Sequence, residues 1–136
     1  MHRAIPPIQK YMTTTPVTVQ QNTTIAEAHK LMQEHNFRHL PVMKGTEFFG
    51  VVSDRDLKLM ESFTGVDPSK ATVGDIAHKD AYTISPDAQT DDVVKTMATH
   101  KYGSALIIDN KKVVGIFTTV DAMNAFAEVL EALLKK

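Results

Sequence analysis

The chain contains no cysteine, so disulfides, thiolate nucleophiles and cysteine-based zinc sites are all excluded. It has no excess of either charge. Lys plus Arg number 15 against 16 Asp plus Glu, a formal net charge of -1. A surface built to hold a nucleic-acid backbone needs a basic excess, so no nucleic-acid partner is expected. Long apolar runs are also missing. The stretches "ALII" and "VVGIF" are far too short to span a bilayer. The opening "MHRAIPPIQKYM" lacks the apolar core of a secretory signal. No Walker loop, Rossmann fingerprint or metal-ligating cluster occurs. These absences point to a soluble, cytoplasmic protein without a membrane partner.

What the sequence does have is a repeat. An offset of 65 positions aligns two halves of the 136-residue chain without a gap. Thr18 meets Thr83, Met32 meets Met97, His35 meets His100, Gly50 meets Gly115 and Asp56 meets Asp121. Similar residues fill slots between them, such as Phe37 with Tyr102 and Ser53 with Thr118.

Each half reads as strand, helix, strand, strand, helix. A short extended run comes first ("PVTV", then "AYTI"). Ile25, Ala28, Leu31, Met32 and His35 then recur at helical spacing, as do Thr90, Val93, Val94, Met97 and His100. Thr23 or Thr24, or Asn22, can cap the first of these helices. Ser85 or Asp87 can cap the second. Two hairpins follow, "RHLPVM" with "FFGVVS" and "SALIID" with "VVGIFT". The expected organisation is a first repeat over 9–62, a connector over 63–75 and a second repeat over 76–128. The last helix continues to 136. About 50 residues bury too little surface for a secure core, so the halves are expected to pack on each other.

The phrases "GVVSDRD" and "GIFTTVD" carry the chemistry. Ser/Thr-x-x-Asp is a helix-capping box, with Ser53 and Thr118 as caps and Asp56 and Asp121 reaching back. The same geometry suits a nucleotide. A helix N-terminus attracts phosphate, a hydroxyl can donate to it, and an aspartate one turn on can accept from ribose hydroxyls. Gly50 and Gly115 leave room for a flat ring or a neighbouring backbone.

The ordered, duplicated set of segments resembles a tandem pair of cystathionine-β-synthase (CBS) domains, a Bateman module, over about residues 9–126. Its carriers include "YMTTTPVTV", "TIAEAHKLMQEHNFRHLPVM", "FFGVVSDRDL" and "YGSALIIDNKKVVGIFTTVDAM". The resemblance implies an α/β (α+β) fold. Two β-α-β-β-α repeats pack sheet to sheet with pseudo-twofold symmetry and leave ligand clefts between them. It implies a regulatory module that binds AMP, ADP, ATP or S-adenosylmethionine, without a tightly bound cofactor. It also implies a homodimer and a regulated protein partner.

The family's pattern carries over to Ser53 and Asp56 in the first site and to Thr118 and Asp121 in the second, and Asp54, Arg55 and Thr119 between them are counted with the ligand-binding residues. The adenine pockets implied by the resemblance fall on Thr15, Pro16, Val17 and Thr18 with Leu40, Pro41 and Val42. In the second half they fall on Ala81, Tyr82 and Thr83 with Ala105, Leu106 and Ile107.

The copies differ. Arg38, His39 and Arg55 stand where the second half has Gly103, Ser104 and Val120. Phosphate-rich ligands are therefore expected near Arg55. No catalytic residue and no metal site are expected; His35 and His100 read as helix-end packing residues. Met123, Phe126, Val129, Leu130, Leu133 and Leu134 form an apolar stripe. It either closes the protein's own core or meets a second chain. Two other functions stay open: a ligand-free structural module whose aspartates only cap, and a Mg-dependent phosphohydrolase using Asp54 or Asp56.

Overall fold

A computed structural model describes residues 5–14 and 17–135. The chain divides into two compact units, residues 16–81 and residues 1–15 with 82–136. In the first unit, β2 (Val19–Gln20), α1 (Ile25–His35), β3 (His39–Lys44), β4 (Glu47–Ser53) and α2 (Asp54–Glu61) follow one another. In the second, β1 (Thr13–Thr14) is joined by β5 (Thr83–Ile84), α3 (Thr90–His100), β6 (Ser104–Asp109), β7 (Lys112–Thr118) and α4 (Thr119–Leu134). The expected element order is thus present in both halves. Among the described residues no helix is long and apolar enough to cross a membrane.

Each unit holds one sheet. The orders are β2-β3-β4 and β1-β7-β6-β5. In both, the first strand of the repeat runs parallel to the next, the two being joined through a helix as parallel strands require. An antiparallel hairpin follows. Register repeats as well: Leu40 faces Val52 where Ala105 faces Phe117, and both hairpins break register at the same slot, Val42/Met43 and Ile107/Ile108. The hairpin tips differ. Gly45 takes φ 62 in one, whereas Asn110 and Lys111 take φ 50 and 66 in the other. Positive φ at both central residues is the twist-matched form of a two-residue turn.

Local signals account for the helices. Thr24, of the candidate caps, closes a full capping box with Glu27 on α1. Neither Ser85 nor Asp87 caps α3. Its N-cap is Gln89, without a side-chain bond, and the Ser85 hydroxyl donates to Asp87 instead. The Thr90 hydroxyl donates to the Pro6 carbonyl at 2.6 Å, an acceptor supplied from far upstream in sequence. Helices α1 and α3 end at matching left-handed residues, Asn36 (φ 56) and Lys101 (φ 59). His35 and His100 sit at those helix ends and stack on Phe37 and Tyr102, with ring centroids 5.4 and 5.1 Å apart.

The units depart from chain order in one respect. The segment leading each repeat is exchanged. Residues 9–14, expected in the first repeat, pack with the second: Tyr11 and Met12 lie against its core and Thr13 pairs with Ile116, with Ile8 just ahead buried in that core. Residues 63–81, expected as a connector and the start of the second repeat, belong with the first. There Val73 is buried in the core and His78 bridges Val51. Val73 and Ile8, like His78 and Thr13, lie 65 positions apart. Each leader therefore occupies the same place in the other half. This exchange explains the motif glycines. A Cβ on Gly50 would stand 2.7 Å from the His78 carbonyl oxygen, and one on Gly115 would stand 2.5 Å from Met12 Sδ and 3.0 Å from the Thr13 oxygen. The exchanged leader approaches both glycines, through backbone at Gly50 and through the Met12 side chain and the Thr13 oxygen at Gly115.

The cores are apolar throughout. Val19, Ile25, Ala28, Met32, Leu40, Val42, Val52, Leu57 and Val73 fill one. Ile8, Val93, Met97, Ala105, Ile107 and Phe117 fill the other. The stripe on α4 belongs to neither. Met123 is 68 % exposed, Phe126 57 % and Leu134 85 %, and no residue of α4 is buried. That removes the first of its two expected roles.

Candidate functional site

Both motif aspartates sit where a buried strand hands over to a helix. On α2, Ser53 Oγ accepts from the Asp56 N–H at 3.1 Å and Asp56 Oδ2 accepts from the Ser53 N–H at 2.9 Å. On α4, Thr118 Oγ1 accepts from the Asp121 N–H at 3.3 Å and Asp121 Oδ2 accepts from the Thr118 N–H at 2.9 Å. Each is a complete capping box. The first helical N–H of each is also taken. Asp54 donates to the Arg38 carbonyl at 2.8 Å and Thr119 to the Gly103 carbonyl at 3.2 Å.

The exchanged leaders add a third partner. His78 Nε2 lies 3.2 Å from Asp56 Oδ2. In the matching slot, the Thr13 hydroxyl donates to Asp121 Oδ1 at 3.2 Å. Sequence reasoning missed both residues. The signal was available in the offset, which places Thr13 and His78 in one slot just ahead of each repeat's first strand. Their contact with the opposite repeat's motif was not.

Electrostatics in the first unit follow from these contacts. Partial burial pushes the Asp56 carboxyl up, but hydrogen bonds from Ser53 and the nearby His78 outweigh it. The group titrates below the ordinary carboxylate range. His39, on β3, is held below the ordinary imidazole range. Burial is the main cause; Asp56 opposes it and Arg38 reinforces it.

The residues of the expected adenine pockets divide into three sets. Leu40, Pro41, Val42, Ala105, Leu106 and Ile107 are buried in central strands, so any contact with a ligand would be through backbone. Val17, Ala81 and Tyr82 are half-buried, and Thr18 and Thr83 exposed, along the first strands. The Leu106 N–H donates to the Tyr82 carbonyl at 2.8 Å. Pro41 occupies the matching slot in the first half and has no N–H to give, so that bond to Val17 cannot form. Thr15 and Pro16 lie outside the described residues.

Asp54 and Arg38 are turned to another task. Asp54 Oδ2 lies 3.0 Å from Lys58 Nζ and 3.7 Å from Arg38, and its Oδ1 lies 3.9 Å from His29. His29 Nδ1 is 2.6 Å from Glu61. This network joins α1 to α2. The matching slots in the second half hold Thr119, Met123, Gly103, Val94 and Phe126, and no charge among them. Arg55, Thr119 and Val120 are exposed on the first helical turns, and Ser104 is half-buried at the start of β6. Among the described residues no group of three or more His, Cys, Asp or Glu converges as metal ligands would.

Comparison with known proteins accords with this duplicated geometry. The CBS domain model matches residues 8–60 and 73–128. The CBS domain-containing protein YhcV of Bacillus subtilis (strain 168) is 31% identical over 114 residues, covering 84% of this chain and 81% of its own. Among solved structures, AcuB from Vibrio cholerae superposes with a TM-score of 0.85 at 24% identity, covering 98% of both chains. The CBS domain pair of protein MJ0100, solved with 5-methylthioadenosine and S-adenosyl-L-methionine, gives 0.81 at 24% identity, over 92% of this chain and 98% of that one. Two matched segments, with the same strand order, capping box and exchanged leader in each, make the chain a member of the CBS domain family that carries the domain as a tandem pair.

Proposed function

We propose that the chain is a non-catalytic sensor that takes an adenosine-containing ligand at Asp56 and at Asp121 and reports occupancy to a protein partner. The observation that carries this reading is the duplicated aspartate. Each carboxylate is held at a helix start by a hydroxyl cap, and Asp56 is kept ionised by its neighbours and so ready to accept from ribose hydroxyls. The ligands bound by the MJ0100 pair share the adenosine group and support the same class here. Adenine would read backbone groups along β2 with β3 and along β5 with β6. Because Pro41 has no N–H to give it, the Val17 carbonyl is an acceptor that the first unit does not spend on β3 as the second spends Tyr82 on Leu106. Arg55, exposed beside Ser53, favours phosphate-bearing ligands such as AMP, ADP or ATP in the first unit. Such a ligand sits in the cytoplasm, and no tightly bound cofactor is part of the reading.

Thermal unfolding with adenosine, AMP, ATP and S-adenosylmethionine tests it. A ligand at 100 times its dissociation constant raises stability by about 2.7 kcal/mol. Asp56→Asn and Asp121→Asn should each remove part of that shift. The rival reading, a ligand-free structural module, draws on the fact that both aspartates already complete capping boxes. A melting temperature indifferent to all four compounds would decide for it. A phosphohydrolase is disfavoured because Asp54 is committed to Lys58, Arg38 and His29 rather than poised over a substrate.

The partner surface falls on α4. Its exposed Val120, Met123, Phe126, Val129, Leu130, Leu133 and Leu134 present on the order of 700 Å² of apolar surface, close to what one side of a stable protein pair buries. Glu128, Glu131 and Lys135 lie off the Met123-Phe126-Leu130-Leu133 line, so a second copy of α4 can meet that line without burying a charge. The matching slots on α2 carry Lys58 and Glu61 in an ion network, a poor complement to an apolar stripe. A homodimer that pairs second repeat with second repeat is the arrangement these faces favour.

A further inference from the structure

Thr13 and His78 hold matching positions and reach matching aspartates, yet their chemistry differs. The Thr13 hydroxyl is neutral at every physiological pH and donates to Asp121 Oδ1, leaving Oδ2 to the cap. His78 Nε2 faces Asp56 Oδ2, the same oxygen that accepts from the Ser53 N–H. An imidazole gains charge as the pH falls from about 8 to 5. A charged His78 pairs with the carboxylate. A neutral one offers an ordinary hydrogen bond, or none in the other tautomer.

The other ionisable groups nearby do not share this behaviour. His39 faces Asp56 from β3, and its burial lowers its tendency to take up a proton, with Asp56 opposing and Arg38 reinforcing the shift. Arg38 on the same side lies 3.7 Å from Asp54 Oδ2. On α2, Asp54 is occupied by Lys58 and His29. Lys79, beside His78 in the chain, lies over the Phe49 ring at 4.8 Å.

We propose that His78 is a positioning residue that makes the first site's hold on a ribose pH-dependent, while Thr13 leaves the second site indifferent to pH. The proposal rests on the adenosine-sensor reading above. A ribose must draw on the Asp56 carboxylate. Protonated His78 competes for Oδ2 and neutral His78 yields it. Because His78 is 59 % exposed, the competition is that of a solvated ion pair, roughly two- to fivefold in affinity.

Adenosine is the probe, since it has no phosphate of its own to titrate. Its binding is measured calorimetrically at about pH 8 and about pH 6 on the wild-type chain, His78→Gln, His78→Thr and Thr13→His. The wild type should bind roughly two- to fivefold more weakly at the lower pH in one of its two sites. Both His78 variants should lose that dependence, and Thr13→His should add it to the second site. Binding whose pH dependence survives in both His78 variants, or is absent from the wild type, overturns the role of His78 alone. No adenosine binding at either pH overturns the sensor reading and this inference with it.

Discussion

Replacing Gly50 by alanine tests the exchanged leader directly. The new Cβ would stand 2.7 Å from the His78 carbonyl oxygen and 3.1 Å from Ala77 Cβ. Ordinary contact begins near 3.4 Å, so the 77–78 backbone must move by several tenths of an ångström. That backbone is tied to β4 by two hydrogen bonds, Val51 N–H to His78 O at 3.1 Å and His78 N–H to Val51 O at 2.9 Å. Overpacking of this kind costs about 1–3 kcal/mol. The lower chain entropy of alanine in the unfolded state returns about 0.4–1 kcal/mol. The net loss is about 1–2 kcal/mol, or roughly 3–10 °C in Tm for a chain of this length. Gly115→Ala is the internal control. Its nearest neighbour is Met12 Sδ, the end of a flexible side chain that can turn away, and only the Thr13 oxygen at 3.0 Å resists. That substitution should cost about 1 kcal/mol or less. Calorimetric melting of both variants measures the difference. If Gly115→Ala proves as destabilising as Gly50→Ala, or more so, leader packing does not govern these positions and the reasoning fails.

Four further outcomes are expected. Asp56 titrates below its ordinary value of 3.8 in the folded chain, so the stability it contributes is complete above that pH and is lost as the pH falls through its lower folded value. Acid melting curves of Asp56→Asn should lack that final loss. Lys101 holds a left-handed conformation at the end of α3 where α1 has Asn36, so Lys101→Asn should raise stability by a few tenths to about 1 kcal/mol in urea unfolding. Phe126→Glu, which borrows the acidic residue of the matching slot on α2, should convert a dimer to a monomer in light scattering while leaving the circular dichroism spectrum unchanged. Arg55→Ala should weaken ATP by calorimetry while sparing adenosine, and equal losses of both would end the charge argument.

Much of the fold was open to reading because its signals are local. Ser53 and Thr118 announce their helices through the aspartate three residues on, and the hairpins declare themselves by apolar runs broken at Gly45 and Asn110. The α3 cap was misplaced because Thr90 finds its acceptor on Pro6, a partner no local pattern names. The leader exchange was hidden for the same reason. A two-residue strand such as Thr13–Thr14 carries too little pattern to say which edge it will join. Asp54 drew attention as part of the motif, yet its partners His29 and Arg38 lie on α1 and just ahead of β3. His78 was visible only as one of six histidines, and its meaning came from the bridge to Val51 that sets it against Asp56.

The exchanged leaders put gene duplication and folding out of phase. The copied stretch runs from one leader to the next, but the compact unit that holds the first sheet and its core is residues 16–81, which begins after one leader and ends after the other. A fragment cut at 62 would forfeit Val73 and His78 and should not hold together. One cut at 81 keeps them and should be the more stable of the two. Dissecting this protein therefore calls for scissors placed some 20 residues downstream of where the repeat in its sequence invites them.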